Sequence, residues 1–228
     1  QEIFQAWGFT VFANELTKTG KAAYDLPMFV NVALNSPGQK PGQYPSAGPL
    51  PHLFDIWKAG GPAIDLIGLD AYFPNYVYWA DQFKRPDNPV FVPEANQAGK
   101  TDAGANAFYT VGELEGIGFG PFAIELLPNP ATDALTDAYR VLRQISPLIL
   151  ANQGKGTMRG FKAALSYEGV ADETPRTQVL QGLVERRPVP GGRDGPRRLQ
   201  PPDRLERPAR QSGAQVRCDP QRVGRLRR

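Results

Sequence analysis

Between Pro27 and Leu150, short β-branched or aromatic runs alternate with stretches of helical periodicity, and this alternation constrains the fold more than any other feature. Strands are predicted at Pro27–Leu34 (PMFVNVAL), Ile64–Phe73 (IDLIGLDAYF), Val90–Val92 and Gly116–Leu127 (GIGFGPFAIELL). Helices are predicted at His52–Ala59, Tyr76–Phe83, Ala103–Glu115 and Asp133–Leu150, the last stepped by Pro147. A further helix, Glu2–Tyr24, comes first, with Ile3, Phe4, Trp7, Val11, Phe12 and Leu16 at helical spacing. Such repetition implies an α/β fold with a parallel sheet and right-handed crossovers. Four units of roughly 30 to 40 residues match half of a (β/α)8 TIM barrel, since a whole one takes about 250 residues. A doubly wound sheet is the competing fold, but no G-x-G-x-x-G follows the first strand.

The stretch NPVFVPEANQ, residues 88–97, concentrates the chemistry. Val90, Phe91 and Val92 read as a buried strand, and Pro93, which has no backbone N–H, is expected to end its ladder. Glu94 then stands at the C-terminal lip, where barrel active sites form. A glutamate capping the next helix or paired with an arginine accounts for the motif equally well. Asn31 lies in the first strand, Asp70 and Tyr72 end the second, and Glu125 is placed near the end of the fourth. The loop SPGQKPGQYPSAGPLP is too polar and kinked for a core and suits a lid or subsite wall.

Composition excludes several chemistries. His52 is the only histidine and Cys218 the only cysteine, so a multi-histidine zinc site, a cysteine-rich metal site and an intrachain disulfide are ruled out. No metal and no cofactor are expected. His52 follows a proline-rich loop and is expected to open a helix, which makes it a structural cap more readily than a catalyst. No run of about 18 apolar residues appears, so no membrane span is expected. Charge is split. From Leu183 onward there are thirteen Arg, no Lys and five acidic residues; the first 182 hold thirteen basic and eighteen acidic residues, giving +8 against −5.

The strings PMFVNVALNSPGQKPGQYPSAGPLPHLFDIWKAGGPAIDLIGLDAYFPN, NPVFVPEA and GIGFGPFAIE resemble a bacterial subgroup of glycoside hydrolase family 35 over about residues 1–160. These are β-galactosidase-like members of a clan of retaining (β/α)8-barrel glycosidases. The resemblance implies that the four strands are the fifth to eighth of the barrel and that Glu94 occupies the nucleophile position. It makes Asn31, Asp70, Tyr72 and Glu125 candidate sugar-binding groups at the same mouth, with a loop-stabilising hydrogen bond as the plain alternative for each. Tyr44, Tyr72, Tyr76 and Trp79 are candidate stacking faces for sugars, though such residues are more often core or rim. A terminal β-galactoside of an oligo- or polysaccharide is the implied substrate. A periplasmic or extracellular location is implied as well, with the signal region outside this chain.

The chain departs from the family pattern at both ends. The acid/base glutamate of the clan ends the fourth barrel strand, which is expected before Gln1, so this piece alone is expected to be inactive. Asn14-Glu15 mimics the family's Asn-Glu pair, but it sits inside the first helix with no strand before it, so Glu15 is rejected as the acid. Residues 161–182 are expected to begin a β-rich region. From Leu183 to Arg228 the sequence lacks Phe, Tyr, Trp and Ile, and is expected to be a disordered tail, or GC-rich DNA read in a shifted frame. Thirteen arginines admit a nucleic-acid-binding tail, but there are no aromatics for base stacking, so no nucleic-acid partner is expected. Two rivals remain at this point: a non-catalytic carbohydrate-binding remnant in which Glu94 is dispensable, and an enzyme of another class on the same fold.

Overall fold

The computed structural model describes residues 1–96, 98–127 and 129–171. The expectations for the basic tail, and for the 161–182 region beyond residue 171, lie outside the described residues. Four strands, β1 (Phe29–Ala33), β2 (Leu66–Ala71), β3 (Phe91–Ala95) and β4 (Gly118–Pro121), pair parallel in the order β1-β2-β3-β4. A doubly wound sheet reverses its strand order at a switch point; this order has no reversal. With right-handed crossovers, sequential order puts the connecting helices on one face. Burial follows that rule: Val32, Ile67, Leu69 and Val92 are buried with Leu53, Phe54, Trp57, Tyr76 and Phe83. On the other face of β1, Phe29, Asn31 and Ala33 are exposed.

The helices are α1 (Glu2–Ala23), α2 (Phe54–Gly60, entered through a 3-10 turn at Pro51–Leu53), α3 (Tyr76–Phe83), α4 (Ala103–Gly112), α5 (Ala134–Gln144) and α6 (Ser146–Asn152). Asp133 starts α5 by accepting the Leu135 backbone N–H at 2.9 Å, which satisfies one of the free donors of the first turn. The break between α5 and α6 falls at Ile145, and Pro147 sits in the first turn of α6, where its missing N–H costs nothing. Among the described residues, no helix is long and apolar enough to cross a membrane. After Gly160 the chain stays on the same unit, with Tyr167 edge-on to Phe73 at 5.0 Å and donating to the Ser36 hydroxyl at 3.0 Å.

Three features differ from the sequence reading. β3 does not stop at Pro93 but runs to Ala95. Between Val92 and Ala95 it takes three steps while β4 takes two, from Phe119 to Pro121, so β3 carries one extra residue. Such a bulge is a position where a sheet tolerates a residue without an N–H. β4, in contrast, is shorter than expected. Phe122 N–H still reaches the Ala95 carbonyl at 3.0 Å, but Ala123 takes a left-handed φ of 57° and the chain turns into a 3-10 helix at Ile124–Leu126. Glu125 therefore lies on an exposed turn and not at a strand end.

The third difference concerns α1. An apolar stripe at helical spacing normally faces the core. Here Ala6, Thr10, Asn14 and Thr17 are buried, whereas Ile3, Phe4, Trp7, Val11, Phe12 and Leu16 are exposed. The close approach to α2 explains which side packs. Thr10 donates its hydroxyl to the Trp57 carbonyl at 3.0 Å, and a Cβ on Gly60 would lie 2.3 Å from Thr10 Cγ2 and 3.3 Å from the Trp7 ring, so the crossing needs a glycine on α2. Glu15 lies on this helix, exposed and paired with Lys18 at 2.7 Å.

Candidate active site at the C-terminal ends of the strands

The site is built on β2 and β3. Asn88 braces the lower part of this strand pair. Its side chain accepts from Ile67 N–H at 2.8 Å and donates to the Ile67 carbonyl at 3.0 Å and the Phe83 carbonyl at 3.2 Å. A buried amide thus replaces a stretch of backbone ladder, which is why it sits in the core. Above it, Pro93 packs against Gly68, where an added Cβ would meet the proline ring at 2.7 Å. Phe91 lies over Gly118 in the same way and meets Phe29 edge-on with ring centroids 4.9 Å apart. These residues form the floor of the open face.

At the lip, Asp70 and Glu94 are paired in register on adjacent strands. Neighbouring strands lie about 4.8 Å apart, so the two carboxyl-bearing Cα atoms are side by side. The extra residue of β3 relative to β4 resets its alternation, so that Val92 and Ala95, three positions apart, are both buried. Asn31, from β1, donates to Asp70 Oδ1 at 2.8 Å. Tyr72, immediately after β2, donates its hydroxyl to Glu94 Oε1. Four of the five sequence-predicted residues, Asn31, Asp70, Tyr72 and Glu94, are therefore linked into one cluster spanning three strands. Glu125 is not part of it: among the described residues, no hydrogen bond joins its side chain to the cluster.

Electrostatics divides the roles. Partial burial pushes the Asp70 carboxyl above its ordinary value, the Asn31 amide works against that shift, and the Glu94 charge adds to it. Burial pushes the Tyr72 phenol well up, with the hydrogen bond to Glu94 and the Glu94 charge acting in the same direction. Tyr72 consequently keeps its proton at any working pH and is a fixed donor to Glu94.

Of the aromatics considered for sugar stacking, only Tyr72 stands at this mouth. Tyr76 is fully buried with its hydroxyl on Thr110, Trp79 is buried, and Tyr44 is tied to Glu2 at 2.8 Å. Phe122, half exposed and 6.3 Å from Tyr72 between ring centroids, was not anticipated; its position directly after Pro121 at the end of β4 is the signal for it. His52 caps no helix; its Nε2 lies 3.1 Å from Glu2 Oε2 and ties α1 to the loop before α2. A depression between Glu2, Ile3, Pro41 and His52 shares no residue with the cluster. Among the described residues, no three His, Cys, Asp or Glu side chains gather as a metal site.

No protein-family model matches the chain, and no curated protein matches it as a relative. Functional assignment therefore rests on the geometry of the cluster and on the resemblance noted in the sequence.

Proposed function

We propose that this chain is the C-terminal half of a retaining (β/α)8 glycosidase barrel of the family 35 type, with Glu94 as nucleophile. The observation that carries the reading is the placement of Glu94. It stands at the C-terminal lip of a sequentially ordered parallel sheet, holds a hydrogen bond from a permanently protonated Tyr72, and lies in register with a second carboxyl group. The lip of such a sheet is where barrel enzymes place their catalytic groups.

In the double displacement, a Glu94 carboxylate oxygen attacks the anomeric carbon and the glycosidic C–O bond breaks. The departing oxygen takes a proton from an acid on the completing half of the barrel, about 5 to 5.5 Å from Glu94 across the sugar. Water then attacks the glycosyl ester, deprotonated by that same group, and releases Glu94 with net retention. Tyr72 holds the carboxylate on aim. Asp70, anchored by Asn31, offers its second oxygen to a sugar hydroxyl. Phe122 and Tyr72 offer ring faces at the rim. Glu125 remains a sugar-binding candidate only if its turn moves toward the mouth.

The purely carbohydrate-binding reading loses support from the burial of Tyr76 and Trp79, since a binding remnant would keep its stacking surfaces exposed. The test uses the chain joined to a completing half-barrel. It should hydrolyse an aryl β-galactoside with retention, and an activated fluoro-sugar should label Glu94. Glu94→Gln should lower turnover by about 10⁴-fold or more while leaving the circular dichroism spectrum unchanged. A label on another residue, or near-normal activity in Glu94→Gln, rejects the assignment.

A further inference from the structure

We propose that the turn after β4 is the binding surface for an uncharged apolar aglycone, an alkyl or aryl group carried by the glycoside whose sugar sits at Glu94. This rests on the glycosidase reading above and deepens it by naming the chemical class of the group that leaves.

The turn is fixed at both ends by the chain's own loops. Phe122 donates its N–H to the Ala95 carbonyl at 3.0 Å, and its carbonyl accepts the Ala98 N–H at 3.2 Å, so it stands level with the end of β3, beside Glu94. At the other end Leu127 packs with Ala98, Ala103 and Leu135 in a small core of their own. Between these anchors Ala123 turns the chain at a φ of 57°, and the Leu126 N–H closes the 3-10 turn on the Ala123 carbonyl at 3.0 Å. Backbone bonds and Leu127 thus hold the shape of the turn. The other large apolar side chains on it, Phe122, Ile124 and Leu126, are 51%, 48% and 73% exposed. With a rise of about 2 Å per residue, they lie within roughly 10 Å of one another. Phe122 also meets the ring of Tyr72 at 6.3 Å between centroids, and the hydroxyl of that ring is bonded to Glu94. Apolar surface therefore starts next to the reacting carboxylate and leads away from it along the turn.

Area and charge decide the occupant. The three side chains and Tyr72 expose on the order of 400 Å². That is about half of the roughly 800 Å² that one partner gives to a standard protein interface. It is enough to receive an alkyl chain of about eight carbons, at roughly 30 Å² per methylene. Branched aliphatic side chains such as Ile124 and Leu126 have no flat face for a sugar ring and no polar atom for its hydroxyls, so a second sugar unit fits them poorly. Asp70, Glu94 and Glu125 make the surroundings acidic, and among the described residues no ion pair joins any of them to a lysine or arginine. A carboxylate or phosphate on the ligand would meet like charge there, which leaves an uncharged apolar group.

The experiment titrates the full chain with octyl β-galactoside, methyl β-galactoside and octyl tetraethylene glycol, each below its micelle threshold. Backbone amide NMR signals of Asp70–Tyr72 and Phe122–Leu127 are followed. Octyl β-galactoside should shift both groups of signals and bind about thirtyfold more tightly than the methyl compound, the gain from burying about two or three of its extra methylenes. Ile124→Ser with Leu126→Ser, both at exposed positions, should reduce that ratio to about threefold or less with the rest of the spectrum unchanged. Tyr78→Ser, on the exposed side of α3, should leave the ratio as it is. The proposal is overturned if octyl β-galactoside does not bind, if its advantage survives the double substitution, or if the Phe122–Leu127 signals do not move. Equal binding of the two galactosides, with shifts at Asp70–Tyr72, overturns the aglycone inference and leaves the glycosidase reading standing. Octyl tetraethylene glycol binding as tightly as the octyl galactoside rejects both, since the sugar then adds nothing at this mouth.

Discussion

Helices α1 and α3 carry similar apolar content at similar spacing and are used in opposite ways. In α3, Tyr76, Trp79, Ala80 and Phe83 turn inward and fill the space over β2 and β3. In α1, the small residues Ala6, Thr10, Asn14 and Thr17 turn inward and the aromatics face out. The difference is one of neighbours. α3 connects two strands that are both present, so its wide face has a sheet to cover. α1 leads into an edge strand and has α2 on one side only. Amphipathic periodicity shows that a helix has something to bury; the partner it buries against is a property of the assembled sheet.

That contrast can be broken at several points. The largest effect is expected for Phe83→Ala on the covered side. Phe83 is fully buried and packs edge-on to Phe54 at 5.6 Å, so denaturant unfolding should show a loss of about 3–5 kcal/mol. A loss under about 1 kcal/mol would mean that the α3 core is far looser than its burial indicates. Thr10→Leu tests the packed side of α1. A larger side chain there meets Gly60 and removes the hydroxyl bonded to the Trp57 carbonyl, which keeps only the Gly61 N–H at 2.9 Å, and a cost of about 1–3 kcal/mol is expected.

The open face of the sheet should behave differently. Asp70 has its folded value raised, so the stability linked to it is fully present below the ordinary carboxylate value and is lost as pH rises through the raised folded value. Asp70→Asn keeps an acceptor for Asn31 and removes the charge. It should stabilise the chain at neutral pH by under about 1 kcal/mol, because solvent screens a half-exposed group. Melting curves of the two proteins should converge on acidification toward about pH 3. Parallel curves throughout would show that Asp70 titrates as it does in the unfolded chain. The smallest effect belongs to Phe12→Ser on the outer flank of α1: within about 0.5 kcal/mol in the chain alone, with improved solubility. A loss above that would show the flank to be covered within the chain itself.

Much of the architecture was legible because it depends on local pattern. The span of α3, the alternation of strands and helices, and the break near Pro147 are consequences of side-chain period and of proline lacking an N–H. The cluster was legible in part. Asn31, Asp70, Tyr72 and Glu94 stand where strand-end chemistry was expected, but Glu125 does not, because Ala123 reverses the chain before it. The span of β3 was misread for a related reason. A proline ends a ladder only where its N–H would have been needed, and the bulge in β3 removes that need.

What the sequence determined by itself was the kind of element at each place and the chemistry near the strand ends, since both follow from residue type and spacing. Tertiary structure alone decided three further things. It set the register of β2 against β3 that lays Glu94 beside Asp70, because strand pairing brings together residues whose separation in sequence does not specify it. It moved Tyr76 and Trp79 from candidate sugar contacts into the core, because an aromatic ring looks the same in sequence whether it meets a ligand or another helix. It also left most of the aromatic stripe of α1 exposed, because burial is a relation between surfaces, and the close contact with α2 is made through Thr10 at Gly60.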